Sequence, residues 1–126
     1  MTGAAGGRDW HGAGGARLLL VDDDPLVLLI LRAVLAAEGW QVVTALSLAD
    51  ARPLLAGAEA IVVDGLLPDG HGLDLLKEPE VVRSRPFVVL HTGTEPAQPV
   101  GVPVVLKQQR ADELIGVLRA GAARRR

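Results

Sequence analysis

Apolar residues along the chain gather into short runs that stop at polar or turn-forming residues, and the runs alternate between a strand-like and a helix-like period. Leu18-Leu19-Leu20-Val21 and Ile61-Val62-Val63 carry no polar alternation, the pattern of strands buried on both faces. The first strand, about Arg17 to Val21, runs into Asp22-Asp23-Asp24, and Pro25 then opens a helix without losing a hydrogen bond. That helix runs to Glu38, with Gly39 as its stop. Gln41 to Ala45 predicts a second strand, and Ser47, with Asp50 three residues later, caps a short helix through about Leu55. The third strand ends at Asp64. A loop, Pro68-Asp69-Gly70-His71-Gly72, precedes a third helix over about Leu73 to Glu80. Phe87 to His91 and Pro103 to Leu106 predict two further strands, and Asp112 to Ala120 the last helix. Between Thr92 and Lys107, the breakers Pro96, Pro99, Pro103, Gly93 and Gly101 leave a loop or a single turn in place of a helix. Strands and helices alternating at this spacing make an α/β domain: a parallel sheet with right-handed crossovers, covered on both faces.

Composition narrows the class. A chain of 126 residues with 49% hydrophobic content is one domain with a well-packed core. There is no cysteine, so neither disulfides nor thiolate metal sites are available. A formal charge of −2 gives no general pull toward nucleic acid or an anionic membrane. Residues 1–16, rich in Gly and Ala, are expected to be a flexible tail without the apolar core of a secretory signal. Residues 121–126, with Arg124, Arg125 and Arg126, are expected to be a solvated basic tail, leaving 17–120 as the domain. The most apolar stretch, Leu26 to Leu31, is followed at once by Arg32 and is too short to span a bilayer, so a soluble cytoplasmic protein is expected.

An open parallel sheet binds its ligand beyond the carboxyl ends of its strands. Strand one ends in Asp22 and Asp23, strand three in Asp64, strand four in Thr92 and strand five in Lys107. Three carboxylates, a hydroxyl and an amine at neighbouring strand ends form a phosphoryl-transfer set: acids hold a divalent cation, one acid accepts the phosphoryl group, and Thr and Lys bind its oxygens. A cation is required on electrostatic grounds, since two carboxylates about 4 Å apart repel by about 4 kcal/mol at an effective dielectric near 20. Hard oxygen donors favour Mg²⁺, or Mn²⁺, over zinc.

At this point the sequence resembles the receiver domains of two-component response regulators. The matching pieces are Leu19-Leu20-Val21-Asp22-Asp23-Asp24-Pro25, Val62-Val63-Asp64 with Leu67-Pro68, Gly72-Leu73-Asp74-Leu75-Leu76, Thr92-Gly93 and Lys107, in order over about residues 17 to 120. The resemblance implies a flavodoxin-like doubly wound sheet of strand order 2-1-3-4-5. It also implies that Asp64 accepts a phosphoryl group from a sensor histidine kinase or a histidine phosphotransfer protein. Asp23, Asp64 and the backbone carbonyl of Leu66 would ligate Mg²⁺, Asp22 would act mostly through water, and Thr92 and Lys107 would contact the phosphoryl oxygens. Family members usually carry Pro after the Lys and an aromatic residue three positions before it; here those residues are Gln108 and Val104. The usual inward rotation of a ring cannot operate, so any switch uses something else. A subgroup of single-domain receivers with Thr-Gly at this place and a degraded fourth helix is similar, and a stand-alone receiver is the expectation.

The first helix offers a partner surface. Val27, Ile30, Leu31 and Val34 follow the spacing of a core face, which leaves Leu26, Leu28 and Leu29 as an apolar excess. That stripe suits a four-helix phosphotransfer domain or a second copy of this chain. His71 is expected in a loop or helix-capping role, His91 packing or meeting solvent on the face opposite Thr92, Asp24 at the helix entry, and Asp69 in ordinary turn chemistry. Two other functions remain open: a pseudo-receiver that binds partners regardless of phosphate, and a Mg²⁺-dependent phosphohydrolase. The second would need a cap domain or long insertions to hold its substrate.

Overall fold

The computed structural model describes residues 15–125, with side-chain surroundings through residue 122. The expectations for residues 1–14 and for Arg126 lie outside the described residues. In chain order the elements are β1 (Arg17–Val21), α1 (Pro25–Ala37), β2 (Gln41–Ala45), α2 (Leu48–Ala51), β3 (Ala60–Val63), β4 (Leu66–Leu67), β5 (Gly70–His71), α3 (Pro79–Ser84), β6 (Phe87–Thr92), β7 (Val104–Leu106) and α4 (Ala111–Arg125). Short 3₁₀ segments follow α2 (Arg52–Leu54) and β5 (Gly72–Lys77).

The main sheet is five-stranded and parallel, in the order β2-β1-β3-β6-β7. It is the expected doubly wound order, because β4 and β5 form a separate antiparallel hairpin. Period two along β1 and β3 divides the core. Leu19, Val21, Ile61 and Val63 pack toward α2 with Leu48, Ala51 and Leu55. Leu18, Leu20 and Val62 pack toward α1 and α4, against Leu28, Leu31, Leu35, Leu114 and Leu118. All four residues of β3 are buried, as a strand covered on both faces requires. Each fully buried Leu contributes about 1.5–3 kcal/mol relative to an exposed one.

Three elements differ from the sequence reading. The third helix is divided: residues 72–77 form 3₁₀ turns, and an α-helix starts only at Pro79. The ring of Pro79 disfavours helical backbone at Glu78, which is extended (φ −67°, ψ 136°), while Pro79 itself fits the first helical position. The last helix continues to Arg125, and Gly121 lies so close to the Phe87 ring that a Cβ there would be 2.2 Å from it. On α1 the buried face is Leu28, Leu31 and Leu35, with Val27 and Val34 at its margins. Ile30 is 54% exposed, beside Leu26 at 61% and Leu29 at 67%. Leu28 is therefore core rather than part of an exposed stripe, and Ile30 is the residue left exposed. Residues 93–103 contain no helix, in keeping with their Pro and Gly content.

Candidate functional site

The carboxylates meet because the sheet ladder runs one residue past the strand ends. Asp22 N donates to Ala45 O (3.1 Å), and Asp64 N donates to Val21 O (2.9 Å), which sets the two aspartates side by side. Lys107 N likewise donates to Thr92 O (2.8 Å). Asp22 is 1% exposed and Asp64 8%, whereas Asp23 faces solvent. One carboxylate oxygen of each lies within 4.8 Å of the others. Asp24, next in line, caps α1 with its Oδ1 accepting from Leu26 N at 2.9 Å.

Lys107 reaches back across the sheet edge, its Nζ 2.8 Å from Asp22 Oδ2 and 3.0 Å from Asp64 Oδ2. Burial opposes the ammonium charge, but the adjacent carboxylates of Asp22 and Asp64 outweigh it and hold the Lys107 pKa above its ordinary value. The turn that presents Lys107 is built without proline. Gln109 N donates to Leu106 O (3.0 Å), and the Gln109 side-chain oxygen accepts from Leu106 N (2.7 Å), closing the turn from both directions. Gln109 was not singled out from the sequence; a lone Gln in a polar turn carries no local signal.

Three carboxylates against one ammonium leave two negative charges in the cluster. Asp22 Oδ2 is buried and makes no hydrogen bond of good geometry, leaving the ion pair with Lys107 as its compensation. Acid oxygens of this number and charge, one of them an unsatisfied acceptor, fit a hard divalent cation. The acidic cluster thus suits Mg²⁺.

Thr92, half-buried at the end of β6, stands beside Gly65: a Cβ at residue 65 would lie 3.1 Å from Thr92 Oγ1. Asp64, Leu66, His71, Leu90 and Thr92 border a cavity of about 620 Å³ on the side where residues 93–103 form a loop. His71 occupies the N-cap position of the 3₁₀ segment but makes no side-chain capping bond, so the capping role expected of it is not seen. His91 is 8% exposed and faces the other way, into a cavity of about 230 Å³ lined also by Val27, Ile30, Lys107 and Leu114. Burial and the nearby Lys107 charge push its pKa down, against the opposing pull of Asp22 and Asp64. Val104, in the edge strand β7, is half-buried and borders a cavity walled by residues 95–103. Asp69, read as ordinary turn chemistry, reaches across to Leu48 N (2.9 Å) and Ala49 N (3.0 Å), twenty residues away.

The fold is that of the receiver domains of response regulators. It superposes on a CheY-like receiver domain from Methanospirillum hungatei with a TM-score of 0.75 at 22% identity, covering 84% of this chain and 92% of that one. A signal receiver domain of an HD domain-containing protein from Pseudomonas fluorescens gives 0.78 at 20% identity, covering 87% and 96%. The response regulator TrrA from Thermotoga maritima, in complex with Mg²⁺-BeF, gives 0.73 at 22% identity, covering 83% and 97%. In sequence the chain is similar to the transcriptional regulatory protein KdpE of Mycobacterium tuberculosis, 33% identical over 117 residues, 85% of this chain and 51% of KdpE. It is 37% identical over 84 residues to the transcriptional regulatory protein AruR of Pseudomonas aeruginosa, covering 61% of this chain and 34% of AruR. The chain thus spans about half the length of KdpE and about a third of that of AruR. No family model matches it. Among the described residues no helix is long and apolar enough to cross a membrane.

Proposed function

We propose that this domain is the phosphoacceptor of a two-component relay, with Asp64 as the residue phosphorylated. The observation that carries this reading is the Lys107 ammonium bridging the buried Asp22 and Asp64, with Asp23 beside them, at the carboxyl ends of parallel strands. Asp22, Asp23, Asp64 and the Leu66 carbonyl would hold Mg²⁺, which when bound neutralises the acids and the incoming phosphoryl charge. In transfer, an Asp64 carboxylate oxygen bonds to phosphorus as the P–N bond of a donor phosphohistidine breaks, and the departing imidazole takes its proton from solvent. Lys107 binds phosphoryl oxygen with the same ammonium that now bridges the acids, and the Thr92 hydroxyl supplies a second donor. Phosphorylation adds about −1.5 to −2 of charge at the sheet edge, enough to reorder neighbouring loops.

The donor is a histidine kinase or a phosphotransfer protein. Its docking place is the exposed ridge Leu26, Leu29 and Ile30 beside the acidic cluster, flanked by the cavity between α1 and α4. Output is by contact between proteins. With Val104 in place of an aromatic ring, we assign the response to the helix-free loop 93–103 and the cavity it borders at Asp64.

The test is intact mass after incubation with Mg²⁺ and a small acyl phosphate. A labile phosphoryl adduct that requires Mg²⁺ and is absent in Asp64→Ala supports the proposal. No adduct, together with no spectral change in NMR on adding beryllofluoride, would transfer the assignment to a phosphate-independent binding module. Multiple-turnover release of phosphate from small phosphomonoesters would instead favour a phosphohydrolase.

A further inference from the structure

We infer that Asp69 is a positioning residue for the cation site: it pins the tip of the hairpin whose base carries Asp64 and the Leu66 carbonyl. The inference rests on the proposed function above and deepens it.

The segment between Asp64 and Gly72 is a closed clip. Gly72 N donates to Gly65 O (3.0 Å), Leu66 pairs with His71, and Leu67 pairs with Gly70. Two paired residues a side are too few to hold a ribbon in water without outside support. At its base the clip is fixed by close contact: a Cβ on Gly72 would lie 1.9 Å from Asp64 O. One side is held by the buried Leu67, but Leu66, two residues after Asp64, is 68% exposed and its side chain anchors little. The tip is held by Asp69, whose two carboxylate oxygens accept separately from Leu48 N (2.9 Å) and Ala49 N (3.0 Å) at the start of α2. Those backbone bonds depress the Asp69 pKa. The approach is close enough to need glycine next in sequence. Gly70 has φ +150°, and a Cβ there would meet Leu48 Cδ1 at 2.8 Å.

Ser47 already serves Asp50 N, so α2 keeps its own cap whether or not Asp69 is present. What Asp69 adds is a tie between two segments twenty residues apart. Through it the Leu66 carbonyl belongs to a ribbon fixed at both ends, and a cation that orders the clip also bears on the first turn of α2. Coupling of this kind is reciprocal.

The test is Mg²⁺ titration of the whole chain by calorimetry, and by NMR of the Gly65, Gly72, Leu48 and Ala49 amides. The variants are wild type, Asp69→Ala, Asp69→Asn and Ser47→Ala. Asp69→Ala is expected to weaken Mg²⁺ binding about tenfold, the low end of what loss of a ligand-orienting partner costs. Asp69→Asn, which retains one acceptor oxygen, is expected between the two. Ser47→Ala removes the cap of α2 without touching the clip and should leave the affinity unchanged. In wild type the Leu48 and Ala49 amides should shift with Mg²⁺, and in Asp69→Ala they should not. Equal affinity in wild type and Asp69→Ala overturns the inference, and so does an equal loss in Asp69→Ala and Ser47→Ala, which would reflect general weakening of α2. If wild type itself binds no Mg²⁺, the proposed function fails first and takes this inference with it.

Discussion

Replacing Lys107 by Met keeps the aliphatic stem but removes the charge that holds Asp22 and Asp64 together. The ammonium lies 2.8 Å from one carboxylate and 3.0 Å from the other. At an effective dielectric near 20, each pair is worth about 5–6 kcal/mol before desolvation. Burying the ammonium offsets much of this, and the Lys107 side chain is 28% exposed, so solvent screens part of the remainder. Breaking a buried pair usually costs about 3–5 kcal/mol because a charge is left uncompensated. With the discount for exposure, Lys107→Met should lose about 2–4 kcal/mol in Mg²⁺-free buffer at pH 7, a fall in Tm of about 10 °C. The second half of the prediction concerns the cation. In wild type it competes with the ammonium for the same oxygens, and in the variant it does not. Mg²⁺ should therefore stabilise Lys107→Met by more than wild type, on a scale where ligand at a hundredfold its Kd adds about 2.7 kcal/mol. Urea unfolding of both proteins with EDTA and with saturating MgCl₂ measures the four stabilities. A variant within about 0.5 kcal/mol of wild type in EDTA would refute the reasoning. Equal Mg²⁺ increments in the two proteins would do the same.

Other expectations follow from the same geometry. Because its acid partners raise the Lys107 pKa above 10.5, the ion pairs contribute fully below that pH and are lost as pH rises through the folded value. Wild-type stability should thus fall more steeply than that of Lys107→Met above about pH 10.5, read from urea midpoints across the alkaline range. Gly72→Ala drives a methyl to 1.9 Å from Asp64 O and 2.7 Å from Val63 Cγ2; it should cost about 3 kcal/mol in urea unfolding and reduce acyl-phosphate labelling of Asp64. Near-wild-type values would mean that the clip yields. Leu29→Glu, on the exposed ridge of α1, should change stability by less than about 0.5 kcal/mol. It should slow transfer from a histidine donor about tenfold, equivalent to about 1.4 kcal/mol, while labelling by a small acyl phosphate stays unchanged. Equal slowing of both reactions would place the effect in the site rather than at the docking surface.

Much of this protein is legible in its sequence, because the deciding features are local. Unbroken apolar runs mark the central strands β1 and β3, Pro25 and Gly39 bracket α1, and the Pro and Gly content of residues 93–103 forbids a helix there. Acids, a hydroxyl and a lysine at successive strand ends define the candidate site, since parallel strands deliver their carboxyl ends to one edge. The division of the third helix is local too, since Pro79 disfavours helical backbone at Glu78. Only the tertiary structure decides which apolar residues of α1 lie inward. Val27 to Leu35 offers more apolar positions than one face holds, and the helix rotates until Leu28, Leu31 and Leu35 meet the sheet, leaving Ile30 outside. Tertiary structure alone also sets Asp69 against Leu48 and Ala49 and closes the Lys107 turn through Gln109. A side chain that bonds to backbone N–H groups twenty residues away leaves no trace in the spacing around it. Local pattern specifies the elements and the chemistry at their ends, while the contacts that aim this chemistry depend on how the elements pack.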